Sequence, residues 1–228
     1  MKTLLFIFIY IISLSSVIAQ NIVTSSNLVI KHPDMTLYLQ SDTNTMVSVH
    51  NLTYKNYLIL IDKNKSVNRK KLGDKWFVDT YKGNFKQKFY TKTGYDLGHL
   101  TPFKATSYSI ETATNSFSSY NQAPQDSSFN RYPWEQLEGN VLDSIAKYKT
   151  DAIITTGVIY NNNKPIYLPK SKIKIPIYYY KILNISGKRY YWLGDNSHRV
   201  KIKNPIRSTT LDELNKLFLD NKMDLKIN

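Results

Sequence analysis

The stretch Tyr95-Asp96-Leu97-Gly98-His99-Leu100-Thr101-Pro102, YDLGHLTP, decides how this chain is read. It sets one of only four histidines beside a glycine and three residues after an acid. An imidazole accepts a proton near neutral pH, as a general base acting through water requires. On this reading Asp96 orients or electrostatically supports His99, and Gly98 lets a backbone or a phosphate come close. Four letters also fit a hydrogen-bonded histidine at the end of a strand, so the surrounding sequence has to choose.

Downstream, Tyr108 to Arg131 is polar and rich in Ser, Thr and Asn, and reads as a long irregular loop carrying Asn121, Pro124 and Gln125. Helical periodicity follows. Asn130 is placed to cap, Pro133 suits a first turn, and Trp134, Leu137, Val141, Leu142 and Ile145 form an apolar face. At 3.6 residues per turn, Asn130, Trp134 and Glu138 drift little around one side. Asn130 and Glu138 then look into a cleft, and an amide oxygen is a hard ligand suited to Mg2+. Arg131 offers a rigid fork for a phosphate. Arg69, Lys70, Lys71, Lys92 and Lys104 sketch an electrostatic track.

Other segments read as strands: Met35 to Leu39, Thr45 to His50, Tyr54 to Ile61, Asp151 to Tyr160, Lys174 to Lys181 and Arg189 to Leu193. Asn21 to Asp34 reads as a variable leader, and Thr210-Leu-Asp-Glu213 as a capping box opening a last helix. These elements predict an α+β fold: a single domain with a central antiparallel sheet flanked by helices.

The opening MKTLLFIFIYIISLSSVIAQN has a positive start, an apolar run and a small-residue cleavage site. It predicts a signal peptide over residues 1–19 and a folded domain over 20–228. The expectation is a secreted protein, periplasmic in a Gram-negative host, with no stable membrane association after cleavage. The chain of 228 residues is 42% hydrophobic, enough for a core, and has no cysteine, which excludes disulfides and thiol chemistry. The formal net charge of +14 attracts polyanions, and 18 tyrosines offer rings for stacking on bases. There is no HxxxH, P-loop or GxSxG pattern.

Taken in order, YDLGHLTP, SSYNQAPQ (Ser118 to Gln125) and SSFNRYPWEQLE (Ser127 to Glu138) resemble the DNA/RNA non-specific endonuclease family. The likeness covers roughly Leu72 to Lys181 and implies a ββα-metal active site cutting DNA and RNA with little sequence preference. It implies that His99 is the general base, Asn130 the ligand of a hydrated Mg2+, and Glu138 the acid positioning the water cluster. Mn2+ or another divalent ion is an expected substitute. Asn121 matches the supporting asparagine and Asp96 the first residue of the motif. The implied products carry 5′-phosphate ends. Phosphate contacts from Arg131, Arg69 and Lys92 are expected from charge and position alone. One position departs: the family has arginine where this chain has Leu97, which cannot donate to a phosphate. The alternative is therefore a secreted basic nucleic-acid-binding protein with weak or lost catalysis.

Overall fold

The computed structural model describes residues 22–25, 28–41, 44–72, 87–196 and 205–228; the predicted signal segment and His198 lie outside them. Seven antiparallel strands form the main sheet: β2 (Val29–Lys31), β3 (Met35–Ser41), β4 (Asn44–Leu52), β7 (Ala152–Ile159), β8 (Tyr178–Ile185), β9 (Lys188–Asp195) and β10 (Ile206–Ser208). Their spatial order is β10-β9-β8-β7-β4-β3-β2. The expected central antiparallel sheet is thus present, with α7 (Glu135–Tyr148) and α8 (Leu211–Asp220) packed on it.

Adjacent strand residues point to opposite faces, so Tyr179 and Tyr180 show which helix covers which side. Tyr179 meets Trp134 and Phe129 beside α7, with ring centroids 5.5 and 6.0 Å away. Tyr180 meets Phe218 of α8 at 5.4 Å. Both faces of the sheet are therefore dry at its centre, which explains the near-continuous apolar runs in β7 and β8. Leu137, Val141 and Ile145, spaced by one turn on α7, are buried as the periodicity predicts. Thr210 caps α8 by accepting from the Glu213 N–H at 3.2 Å.

Three readings of local structure change. Tyr54 to Ile61 is not a strand but α1 (Tyr54–Ile61), capped by Thr53, whose hydroxyl accepts from the Asn56 N–H at 3.1 Å. A short apolar run cannot distinguish the two by periodicity, and here the cap decides. The leader contains β2 and β1 (Ile22–Val23), the latter paired with β11 (Lys226–Ile227). The polar stretch 108–131 is not an irregular loop. It holds α5 (Ile110–Asn115), a 3-10 turn (Ser119–Asn121), β6 (Gln122–Asp126) and α6 (Ser127–Phe129). Every residue of β6 is buried despite its polarity, its backbone paired with β5 rather than with water.

Candidate active site

β5 (Tyr95–His99) pairs antiparallel with β6, and the chain turns at Asp126 directly into the helical segment that ends in α7. This is a ββα unit built from the three stretches singled out in the sequence. Asp126, not Asn130, caps the start, accepting from the Ser128 and Phe129 N–H groups at 3.0 Å each. Asn130 lies one turn in, at the head of a π-helical stretch (Asn130–Trp134) containing Pro133. A single π-turn commonly marks a functional site and here re-aims Asn130 relative to α7.

Asp96 holds this side of the site. Its Oδ2 accepts from Asn130 Nδ2 at 2.9 Å and from Arg131 Nε at 2.9 Å, and its Oδ1 accepts from Arg131 Nη2 at 2.8 Å. Both carboxylate oxygens are thus spent, and no hydrogen bond links Asp96 to His99 among the described residues. Strand alternation gives the reason: residues three apart face opposite sides. The expected support of His99 by Asp96 is replaced by anchoring of Asn130. Arg131 has its fork closed on Asp96 rather than open for a phosphate.

His99 sits on the other face of β5. Its ring meets Phe117 edge-on at 5.3 Å, and Arg69, on α2 (Arg69–Leu72), stacks 5.6 Å from both Phe103 and Phe117. Burial, with the nearby Arg69 cation adding, holds the imidazole down to about 4. His99 is therefore neutral at pH 7, and its shielded Nε2 has no hydrogen-bond partner among the described residues. A neutral imidazole with an unspent nitrogen beside a cation is what a proton acceptor for phosphate chemistry needs.

Asn121 is fully buried and fully used. It donates to the carbonyls of Thr101 (2.7 Å) and Ser116 (2.8 Å), and its Oδ1 accepts from the Thr101 N–H at 2.9 Å. It braces the backbone just beyond His99 instead of meeting substrate. Gly98 is required for packing: a Cβ there would stand 2.3 Å from Gln125 Oε1. A neighbouring side chain, rather than a phosphate, makes the close approach.

Glu138 projects from the first turn of α7 into a largely dry environment. Lys181 Nζ lies 3.8 Å from its Oε1, an ion pair rather than a hydrogen bond, with side-chain exposures of 1% and 17%. Lys181 also donates to the Thr156 hydroxyl at 2.6 Å and lies 5.0 Å over the Trp134 ring. Desolvation pushes Glu138 up to about 7 with Glu135 adding, while Lys181, the Trp134 indole N–H and Lys104 pull it back.

The family model for DNA/RNA non-specific endonucleases matches residues 16–224. The chain belongs to that family. It is a nuclease acting on DNA and RNA, and members of the family depend on a divalent metal. A crystal structure of EndoG in complex with EndoGI, described as showing the mechanism of EndoG inhibition, shares the fold at a TM-score of 0.63. The identity is 21%, over 85% of this chain and 86% of that one. Among curated proteins no significant match is found.

The residues of this endonuclease fit a hydrated hard cation better than a closed protein cage. No group of three or more His, Cys, Asp or Glu side chains able to hold a metal occurs among the described residues. Asn130 spends its amide N–H on Asp96, which leaves Oδ1 as its metal-seeking atom.

Two expected contributors sit apart from each other. Arg69 is brought to His99, whereas Lys92 lies exposed before β5, at the end of that strand away from His99. Sequence reasoning missed Lys181, although a lone lysine inside the apolar run YYYKILNI was a legible signal. Leu97, the departure from the motif, packs against the cluster of Tyr90, Leu168 and Ile173. No helix among the described residues is long and apolar enough to cross a membrane.

Proposed function

We propose that this nuclease is exported and hydrolyses DNA and RNA with Mg2+, His99 acting as the general base. The observation that carries this reading is the neutral Nε2 of His99, without a hydrogen-bond partner among the described residues, beside Arg69 and on the strand whose Asp96 fixes Asn130. Export rests on the apolar leader MKTLLFIFIYIISLSSVIAQ.

In this mechanism basic residues gather the phosphodiester backbone without reading bases. Arg69 offers its guanidinium to a phosphate oxygen and opposes protonation of His99. His99 Nε2 takes a proton from a water molecule, whose oxygen attacks phosphorus in line as the P–O3′ bond breaks; one product keeps the 5′-phosphate and the leaving 3′-oxygen takes a proton from solvent to become a hydroxyl. Asn130 Oδ1 would hold the Mg2+, with Asp96 fixing the amide and Glu138 positioning water around the site. When bound, the ion supplies charge stabilisation to the phosphate and the leaving oxygen. Asn121 keeps the turn after His99 in place throughout.

The test is cleavage of a supercoiled plasmid and of an RNA with Mg2+ and then with EDTA. EDTA-sensitive cleavage of both is expected, and none by folded protein would leave the nucleic-acid-binding reading that Leu97 favours. His99→Ala should lower turnover by at least about 100-fold while DNA binding persists. Retained turnover in that variant would refute the base assignment.

A further inference from the structure

A cleft of about 1100 Å³ opens between the segment leading into β5 and the loop before β8. Lys88, Lys92 and Lys170 stand around it, and Phe89, Tyr95 and Tyr167 supply rings. A second hollow of about 890 Å³ shares Phe89, Tyr167 and Lys170 with it, so the two form one groove. No carboxylate lines either part among the described residues. Tyr167 and Ile166 are 44% and 59% exposed, large apolar surface that the fold does not cover.

Two of these lysines sit in left-handed turns, as Lys149, Ser186 and Lys222 do elsewhere in the protein. Lys92 has φ +60° and Lys170 φ +57°, left-handed conformations that cost a non-glycine residue about 1 kcal/mol or more. Strand geometry gives the groove its direction. Tyr95, Leu97 and His99 share a face of β5, which places Tyr95 about 14 Å from His99 at about 3.4 Å per residue. Between them, Leu97 packs with Tyr95 and Phe89 on the cluster that underlies the groove. The position that the family gives to a cation is used in this chain to pack against the cluster beneath a basic, aromatic channel.

We infer that this groove binds a single-stranded stretch of the polynucleotide substrate, with phosphates on its lysines and bases stacked on Tyr167. The inference rests on the nuclease reading above. A cation row beside exposed rings fits such a strand, because every base presents a π-face and every linkage a negative charge. A duplex buries the base faces, leaving the rings nothing to stack on.

The experiment measures binding of an oligothymidylate of about ten nucleotides, a length within the usual single-strand site sizes, to the full chain carrying His99→Ala. It is repeated with an abasic strand of equal length, over a range of salt. Tyr167→Ala should weaken the thymidylate about tenfold and leave the abasic strand unchanged. Lys170→Ala should weaken both and reduce the slope of log K against log salt by about 0.7. With His99 intact, both variants should retain wild-type hydrolysis of a small nitrophenyl phosphodiester too short to reach the groove. Unchanged affinity and slope in variants of a protein that still cuts nucleic acid would overturn the groove alone. Equal losses on both strands with Tyr167→Ala would overturn base stacking. A wild-type chain that neither cuts nor binds would remove the nuclease reading and the groove with it.

Discussion

Asp96 and Glu138 both come from the family motif, yet the protein surrounds them in opposite ways. Asp96 is 22% exposed and gives both oxygens to Asn130 and the 71% exposed Arg131, with water at hand. Glu138 is itself 17% exposed, but its partner Lys181 lies inside the protein at 1%. An exposed pair is screened, so its worth lies in geometry. A buried pair is dictated by desolvation, and removing one partner strands the other. Asp96 is thus a positioning group for Asn130, while Glu138 and Lys181 form an electrostatic unit whose halves depend on each other.

The largest effect should come from splitting that unit. Lys181→Met should destabilise the fold by about 3 kcal/mol at alkaline pH, where Glu138 would be left charged and unpaired. At pH 6 the loss should be smaller, because Glu138 takes up a proton instead. Chemical unfolding at the two pH values measures this, and an equal loss at both would show that packing, not charge, is what Lys181 provides. The same substitution should move the acidic limb of the activity profile upward, since a cation that pulls Glu138 down has gone.

Glu138→Gln should next change how stability depends on pH. The folded carboxyl sits at about 7, above its ordinary 4.5, so its favourable contribution is complete below about 4.5 and lost as pH rises through 7. Removing the carboxyl should flatten that part of the melting-temperature profile. His99 works in the other sense. Its value of about 4 lies below the ordinary 6.5, so its contribution is present above 6.5 and lost as pH falls through 4. The acid side of the profile should therefore survive in Glu138→Gln, and its disappearance would contradict the separation of the two groups.

Asp96→Asn should leave stability nearly intact but raise the Mg2+ concentration for half-maximal cleavage about tenfold, the usual cost of losing a partner that orients a metal ligand. Unchanged metal dependence would detach Asp96 from Asn130. Arg131→Ala should have the smallest effect, leaving the melting temperature within its scatter. A large loss of substrate affinity in that variant would restore Arg131 as a phosphate contact despite its bond to Asp96.

Much of the candidate site was legible because its members lie in short, ordered stretches. His99 stands after Gly98 in one motif, and Asn130 and Glu138 lie on one helical segment of another. Less legible was which groups touch. The spacing of Asp96 and His99 invited a direct contact, but their offset of three places them on opposite faces of β5. The polar run 108–131 hid β6 because composition suggested water, whereas Asn121 and Asp126 are buried and bonded to backbone. Tyr54 to Ile61 was ambiguous because eight apolar-rich residues satisfy either period, and the Thr53 cap was the overlooked signal.

By itself the sequence determined the family, the ββα order and the charge, and it singled out His99 as the candidate proton acceptor. These depend on residue type and local spacing, which survive without knowledge of contacts. Only the tertiary structure decided that Asp96 serves Asn130, that Lys181 stands against Glu138, and that Leu97 underlies a basic groove. Those pairings join β5 to the π-turn, β8 to α7, and β5 to the loop before β8. Each is set by which faces of distant elements meet, and by the high cost of leaving a buried charge without a partner.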